Sequence, residues 1–411
     1  MLLYSLGLKL VDLSLHLVGN FNSKIKKGVA GRKQTFSKLS SSVSPTDKTI
    51  WFHCASLGEY EQGLPVFKDI RKTHPGHKII LSFFSPSGYE IRQNSEIADV
   101  VIYLPLDTVS NAKRFFDIFT PELTVFVKYD IWPNFLLELR KRGGKAILIS
   151  ALLRPNQSFF KFYGSRLKQA LMSFEHIFVQ DENSKTLLNS IDYKAVTITG
   201  DTRFDRVSQQ LEQDNSIPFI QEFKADSLCV VIGSSWPEDE AILMHFINDN
   251  ASKNIKFIIA PHNIKPDLIS NLEAKCNQAV IKFSNKDQSN LPDYNIFILD
   301  TIGILTKVYS YADIAYVGGA MGATGLHNIL EPSVFGAPVI IGKNHKKFPE
   351  AKLMIDNGGV FSVSNESQLQ TTLRHLINDN ESRMKYGKLN SSFILKHKGA
   401  VKKIAQYLEN A

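Results

Sequence analysis

Short apolar runs alternate with longer amphipathic runs along the whole chain. The short runs are rich in Val, Ile and Phe, which is typical of buried parallel strands, and the longer runs have helical periodicity. In the first half, the predicted strands are residues 50–54, 78–83, 100–104, 123–127, 146–149, 176–179 and 196–199. In the second half, they are residues 228–232, 255–259, 295–299, 314–317 and 338–341. The pattern predicts an α/β protein built from two doubly wound, Rossmann-like domains.

A polar segment, residues 205–227, separates the two series of strands, and we expect it to contain the hinge. We therefore predict an N-terminal domain at residues 41–208 and a C-terminal domain at residues 209–385. Residues 386–411 are predicted to form a terminal helix that packs back on the N-terminal domain.

Both halves begin with the same arrangement: an apolar strand, a loop of small residues with Ser, and an acidic helix start. It occurs in IWFHCASLGEYEQGLPVF (50–67) and in CVVIGSSWPEDEAILMHF (229–246). Open parallel sheets bind ligands in the crevice beyond the carboxyl ends of their strands. We therefore expect the two domains to face one interdomain cleft and to divide two substrates between them.

Charge is concentrated near the N-terminus of this chain of 411 residues. Of the net charge of +8, residues 1–40 carry seven basic groups and one acidic group, which gives 7 − 1 = +6. These basic residues follow the apolar run MLLYSLGLKLVDLSLHLVGN, in which Lys9 and Asp12 would be expensive at the centre of a bilayer. We predict that residues 1–40 associate with an anionic membrane surface, with residues 1–20 as an amphipathic helix on that surface and the basic residues behind it. The alternative is that the helix of residues 1–20 packs on its own domain.

The same composition argues against several classes of site. The basic excess lacks interleaved stacking aromatics, so nucleic-acid binding is not predicted. Cys54, Cys229 and Cys276 are widely spaced and indicate neither a disulfide framework nor a zinc site. The sequence has no HExxH, GxSxG or Walker A motif. We therefore expect a metal-independent reaction without a cofactor, in a reducing compartment.

The segment at residues 315–351 has the layout of a nucleotide site: a strand, a glycine-rich turn and a polar cluster before a helix. Its glycines are Gly318, Gly319, Gly322 and Gly325. They allow the backbone to approach a ligand closely. His327, Asn328 and Glu331 are predicted to open a helix whose free N–H groups bind phosphate, while the carboxylate accepts from ribose hydroxyls. The alternative is an ordinary glycine-rich turn.

Glu59 is the first candidate for a catalytic base. It follows Ser56 and Gly58 at the end of a predicted strand and opens a helix. A general base must reach the proton that it removes, and this position projects beyond the sheet. The alternative is that Glu is favoured here by the helix dipole alone.

Other polar groups follow neighbouring strands. In the first half they are Ser85, Ser87, Gly88, Lys128 and Asp130. In the second half they are Ser234, Ser235 and His262. Hydroxyls and free N–H groups suit a phosphate, although helix capping explains the serines equally well.

The motifs, taken in order, resemble those of the 3-deoxy-D-manno-octulosonic acid (Kdo) transferase family. They are HCASLGE, FFSPSG, KYDIWPN, TGDTRFD, IGSSWPEDE, DTIG, AYVGG and HNILEPSVFGAPVIIGK. The resemblance covers nearly the whole chain. It implies a GT-B glycosyltransferase fold on the cytoplasmic face of the bacterial inner membrane. The implied reaction transfers Kdo from CMP-Kdo to a lipid A precursor, lipid IVA, with inversion, in lipopolysaccharide biosynthesis.

The resemblance also implies roles for individual residues. Glu59 matches the family's proposed general base, and Asn328 and Glu331 match a motif of the CMP ribose and phosphate pocket. Ser234 and Ser235 are expected to hold the donor phosphate or carboxylate.

The chain also departs from the family at several positions. His262 lies in a segment that lacks the family's arginine, and Lys128 and Asp130 replace two glutamates. Arg154 is displaced from the expected position, and Leu326 replaces a glycine that often precedes His-Asn.

Two other functions remain open at this point. One is a different GT-B nucleotide-sugar enzyme, either a transferase or an epimerase. The other is a non-catalytic, membrane-associated nucleotide-binding protein, which the replacements at Lys128 and around Arg154 would accommodate.

Overall fold

A computed structural model describes residues 21–288 and 290–410, together with Gly7, Ser14, Leu17 and Val18. The chain divides into two compact units: unit 1 is Met1–Arg206 with Lys398–Ala411, and unit 2 is Val207–His397. The apolar segment that was predicted to lie on a membrane falls almost wholly outside the described residues. Among those that are described, no helix is long and apolar enough to span a bilayer.

Unit 1 is built on a seven-stranded sheet in which every neighbouring pair is parallel. Its strands are β1 (Thr49–Cys54), β2 (Lys78–Phe83), β3 (Val100–Tyr103), β4 (Leu123–Val127), β5 (Lys145–Ala151), β6 (His176–Val179) and β7 (Val196–Ile198). Their order in the sheet is β3-β2-β1-β4-β5-β6-β7. The order in which the chain adds strands reverses between β1 and β4, which is the doubly wound arrangement. Such sheets bind ligands beyond the carboxyl ends of the strands at this point.

Helices cover both faces of this sheet. They are α1 (Ser23–Ser42), α2 (Leu57–Thr73), α3 (Pro86–Arg92), α4 (Val109–Ile118), α5 (Pro133–Lys141), α6 (Ser165–Leu171) and α7 (Glu182–Asn189). Helix α8 (Thr202–Ser208) spans the junction to unit 2, and a 3-10 turn lies at Ser158–Phe160. Because both faces are covered, the strands are largely apolar and do not alternate between apolar and polar residues.

Unit 2 repeats the design with a second parallel sheet, ordered β10-β11-β9-β8-β12-β13-β14. Its strands are β8 (Leu228–Ser235), β9 (Ile255–Pro261), β10 (Val280–Lys282), β11 (Ile296–Ile298), β12 (Ile314–Val317), β13 (Val339–Gly342) and β14 (Val360–Val363). Its helices are α9 (Pro218–Lys224), α10 (Pro237–Asn250), α11 (Pro266–Ala274), α12 (Leu305–Val308), α13 (Leu330–Val334), α14 (Pro349–Asp356), α15 (Glu366–Asn378) and α16 (Asn380–His397). Its 3-10 turns are Gln209–Glu212, Phe283–Gln288, Leu291–Asp293 and Tyr309–Tyr311. The predicted fold class, two doubly wound α/β domains, is confirmed.

The basic segment after the apolar N-terminus forms α1, which packs on unit 1. The Thr35 hydroxyl donates to the Tyr103 carbonyl over 2.7 Å, and the Arg32 guanidinium donates to the Phe84 carbonyl over 2.6 Å. A Cβ on Gly31 would lie 2.3 Å from the Tyr103 ring, so glycine permits this close approach. For residues 23–42 the structure therefore shows a helix packed on its own domain.

The last helix, α17 (Ala400–Asn410), returns to unit 1. The Asp205 carboxylate accepts from the backbone N–H groups of Gly399 and Ala400 over 2.9 and 3.1 Å, which caps the start of the helix. Ile404 is fully buried in the core cluster that also contains Phe52 and Phe67. The helix thus completes one side of the sheet's apolar packing.

We expect Ile404→Ala to lower the free energy of unfolding of unit 1 by about 2–5 kcal/mol, because it leaves a cavity in a buried cluster. Urea denaturation measures this loss. Lys402→Ala, on the exposed face of the same helix, is the control and should change stability by less than about 0.5 kcal/mol. Equal stability of the two variants would contradict the docking of this helix.

Candidate functional site

In unit 1, the carboxyl ends of β1 and β4 bring a carboxylate pair together. Glu59 is the third residue of α2, which follows β1, and Asp130 follows β4. Because β1 and β4 are neighbours in the sheet, their loops open at the same edge. Glu59, Lys128 and Asp130 are close enough for the charges of the other two to shift the pKa of Glu59.

Glu59 is half-buried and caps the N-terminus of its own helix. Its Oε2 accepts from the backbone N–H groups of Ala55 and Ser56 over 2.5 and 3.2 Å. Burial, followed by the charge of Asp130, raises the pKa of Glu59 to about 7, against the opposing effects of the two N–H donors and of Lys128. A carboxyl group that titrates near neutral pH is suited to proton transfer.

Asp130 is held by two ring N–H groups. Its Oδ2 lies 2.7 Å from Nε2 of His53 and accepts from Nε1 of Trp132 over 2.8 Å. Nδ1 of His53 lies 2.7 Å from the Ser82 hydroxyl, which accepts from Nε1 of Trp51 over 2.7 Å. Because a carboxylate can only accept, the Nε2–H of His53 donates to Asp130.

Sequence reasoning missed His53, Ser82 and Trp51 in this chain of hydrogen bonds. All three are fully buried. A signal was present, since His53 and Ser82 are polar residues inside otherwise apolar strands. A buried polar side chain needs a partner, and these two have each other.

Lys128 has a backbone φ of 70°, in the left-handed region that L residues other than Asn and Asp rarely adopt. Its Nζ lies 5.4 Å from the centre of the Tyr129 ring. Strain of this kind collects at functional sites. Its positive charge lowers the pKa of Glu59, in opposition to Asp130.

The small polar residues of the first half mainly shape the loops. Ser56 is the N-cap of α2, and Gly58 is exposed in its first turn. Ser85 caps α3 by accepting from the backbone N–H of Ser87 over 3.3 Å. A Cβ on Gly88 would lie 2.2 Å from the Phe83 ring. Helix capping and close packing are sufficient to account for the serines and glycines at these positions without a bound ligand.

In unit 2, the buried carboxylate of Asp239 fixes the glycine-rich turn. It accepts from the Tyr316 hydroxyl over 2.8 Å, from the Gly319 N–H over 2.8 Å and from the Trp236 N–H over 2.9 Å. The turn comes so close to β8 that a Cβ on Gly318 would lie 2.4 Å from the Ser234 carbonyl oxygen. Gly319 has a φ of 93°, which favours glycine.

The polar cluster after this turn is a loop and not a helix start. Helix α13 begins at Leu330 and has five residues, so the prediction that His327 and Asn328 open a helix is wrong. The His327 N–H is already used, donating to the Gly318 carbonyl over 3.1 Å. His327 and Asn328 therefore do not offer a helix N-terminus to a phosphate.

Asn328 and Glu331 instead form a fixed pair. The Asn328 amide donates to Oε1 of Glu331 over 3.0 Å, and its Oδ1 accepts from the Leu330 N–H over 3.1 Å. The Thr306 hydroxyl donates to Oε2 of Glu331 over 3.1 Å. These bonds orient a half-buried carboxylate, which is an acceptor-only group.

His262 and His327 flank Trp236. The His262 ring stacks on Trp236 at 4.5 Å between centroids and lies 4.6 Å from the His327 ring. Nε1 of Trp236 donates to Nε2 of His327 over 3.1 Å. Burial, followed by the charge of His262, lowers the pKa of His327 to about 4, so this ring is neutral at pH 7.

The two serines after β8 have different surroundings. Ser234 is half-buried and has a φ of 54°, at the point where the register between β8 and β9 shifts. Ser235 is buried, and its hydroxyl donates to Oε1 of Glu240 over 3.3 Å. Ser234 is therefore the more accessible of the two. Among the described residues, no group of three or more His, Cys, Asp or Glu side chains is placed to hold a metal ion.

Residues 29–206 match the family model described as 3-deoxy-D-manno-octulosonic-acid transferase (kdotransferase). A 3-deoxy-D-manno-octulosonic acid transferase from Haemophilus influenzae is 26% identical in an alignment of 380 residues, and the alignment covers 89% of this chain and 87% of that protein. One from Aquifex aeolicus is 27% identical over 333 residues, covering 80% of this chain and 86% of that protein. The resemblance that the ordered motifs indicate is confirmed.

Among solved structures, the UDP-GlcNAc 2-epimerase from Neisseria meningitidis bound to UDP-GlcNAc superposes with a TM-score of 0.63. It covers 89% of this chain and all of its own chain, 100%, at 16% sequence identity. At that identity the likeness concerns the fold, and it confirms the predicted GT-B class of two Rossmann-like domains.

We expect Asp130→Asn to shift the pKa of Glu59 downward from about 7, because a repelling charge is removed while burial remains. Asparagine keeps an oxygen that can accept from His53 and Trp132. An NMR titration of ¹³C-labelled glutamate carboxyl groups measures the shift. The Glu59 signal is assigned as the one that is missing in Glu59→Gln. Glu96→Gln, an exposed carboxylate of the same unit, should leave the midpoint unchanged. An unshifted midpoint in Asp130→Asn would contradict the coupling.

Proposed function

We propose that this chain, a relative of the 3-deoxy-D-manno-octulosonic acid transferases, transfers Kdo from CMP-Kdo to a lipid A precursor, lipid IVA. The observation that carries the proposal is Glu59 of the family's SLGE motif: a half-buried carboxylate at the end of β1 whose pKa is about 7. That is the property a general base needs for a sugar hydroxyl at neutral pH.

In the proposed reaction, Glu59 removes the proton of the acceptor hydroxyl while that oxygen forms a bond to the anomeric carbon of Kdo. The bond from that carbon to the phosphate oxygen breaks, and its electron pair leaves with CMP. Attack and departure occur on opposite faces, so the configuration inverts. Since the leaving group is already a stable phosphate, we propose that N–H and cationic donors of the protein offset its charge without a metal.

We propose that unit 2 holds the donor. Asn328 and Glu331 would take the ribose hydroxyls, because the pair is preoriented and a carboxylate accepts from hydroxyl groups. Ser234 and exposed His262 would bind the phosphate or the carboxylate, and the turn at Gly318 and Gly319 would let the backbone approach them. Ser235 would support this loop through Glu240 and not touch the ligand.

We also propose that unit 1 works at the cytoplasmic face of the bacterial inner membrane. The exposed lysines of α1 support this, since they would attract anionic lipids. They are Lys26, Lys27, Lys33 and Lys38. Phe21, just before the helix, is 94% exposed and would insert into the interface.

We expect Glu59→Gln to reduce the transfer rate by about 10²–10⁴-fold while CMP-Kdo still binds, because only the base is removed. Glutamine can still accept from the Ala55 and Ser56 N–H groups, so the loop should keep its shape. The measurement is incubation with CMP-Kdo and lipid IVA followed by mass spectrometry of the lipid, with donor binding measured by calorimetry.

Glu96→Gln serves as the matched control and should transfer like the wild type. In the wild type, kcat/KM should rise with pH and level off above about 7, because the base acts as the carboxylate. Near wild-type turnover by Glu59→Gln would refute the role of Glu59 as the general base. An epimerase or a non-catalytic protein would add no Kdo mass at all.

We expect Glu331→Gln to weaken CMP binding by about tenfold to a hundredfold, because hydrogen bonds from ribose hydroxyls to a charged acceptor are lost. Calorimetry with CMP measures this. Glu222→Gln removes an exposed carboxylate of the same unit and should bind CMP normally. If both variants bind CMP like the wild type, Glu331 does not contact the nucleotide.

A further inference from the structure

A cavity of unit 2 is lined by residues that have no part in the donor site proposed above. It has a volume of about 710 Å³ and lies between the glycine turn, residues 322–325, and a segment after β13. We call residues 343–347 of that segment, with the sequence KNHKK, the lysine loop. Phe348 completes the lining.

The two walls of the cavity are joined by the amide of Asn344. Its side chain donates to the carbonyl groups of Met321 and Gly322 over 3.1 and 2.8 Å. Its backbone N–H donates to the Ala320 carbonyl over 2.8 Å. These bonds hold the lysine loop against the glycine turn, so the position of the lysines is set by the backbone.

The cavity carries an excess of positive charge. Lys343, Lys346 and Lys347 line it and are exposed, and they form no ion pair with a carboxylate in the described part of the chain. The acidic neighbour of the glycine turn is Glu238, whose carboxyl carbon would lie 2.9 Å from a Cβ on Gly322. Three lysines and this carboxylate leave a charge of 3 − 1 = +2.

The same loop also contains His345, which does not line the cavity. Burial, followed by the charge of Lys346, lowers the pKa of this ring. The positive charge of the cavity therefore comes from the three lysines.

We propose that the lysine loop and the glycine turn bind a phosphate monoester. A phosphodiester carries one negative charge, whereas a phosphate monoester carries about −1.5 to −2 at neutral pH, which matches the net +2 of the cavity. Lysine is a point-charge donor suited to phosphate oxygens. Two sources follow from the proposed function, on which this step rests: the phosphates of the acceptor lipid and the CMP that transfer releases.

The test compares Lys346→Gln/Lys347→Gln with the wild type in the full-length chain. Calorimetry is used to titrate lipid IVA, enzymatically dephosphorylated lipid IVA, and CMP. Lipid IVA or CMP should bind about tenfold more weakly to the variant, since charge-assisted hydrogen bonds are lost. Dephosphorylated lipid should bind both proteins equally. Lys385→Gln/Lys388→Gln removes the same charge from an exposed helix of unit 2 and should bind like the wild type.

If the double variant weakens only the binding of lipid IVA, the site belongs to the acceptor. If it weakens only the binding of CMP, the site belongs to the nucleotide. The site is overturned if the double variant binds both compounds like the wild type. It is also overturned if the affinity for dephosphorylated lipid falls as much as the affinity for lipid IVA. Because binding requires no turnover, a protein that binds these compounds but adds no Kdo would contradict the proposed function and leave the site standing.

Discussion

The parallel direction of all the strands is the constraint on which the candidate sites depend. A parallel sheet collects the carboxyl ends of its strands at one edge, and Glu59, Asp130 and His262 each follow such an end. The backbone there leaves the sheet and needs new partners. Two carboxylates hold these loops: Asp130 accepts from two side-chain ring N–H groups in unit 1, and Asp239 accepts from two backbone N–H groups and a tyrosine hydroxyl in unit 2. Each carboxylate fixes the loop that carries a candidate ligand group.

The apolar strands could be predicted from sequence because burial on both faces makes each one a continuous hydrophobic run. β10 and β14 were missed because they are short and carry polar residues, Lys282 in one and Ser362 in the other. The position of Glu59 after β1 was also predictable. Its pKa was not, because that depends on burial and on Asp130, which lies far away in the sequence.

The sites in unit 2 show where local pattern fails. His327, Asn328 and Glu331 have the spacing of a helix start, but the hydrogen bond from the His327 N–H to Gly318 keeps this segment in a loop until Leu330. Ser234 and Ser235 look equivalent in sequence, yet the register shift beside them turns one inward to Glu240. Contacts between residues distant in the chain decide both outcomes, and periodicity does not report such contacts.

The return of α17 to unit 1 has a consequence for synthesis on the ribosome. Unit 1 is discontinuous in sequence, since residues 398–411 follow all of unit 2. While the chain is growing, the surface that Ile404 later covers stays open until residues 398–411 emerge, whereas unit 2 is continuous and can close earlier. The first unit to be translated is therefore the last to be completed, and a chain that ends before residue 398 would leave an apolar face of unit 1 exposed to aggregation.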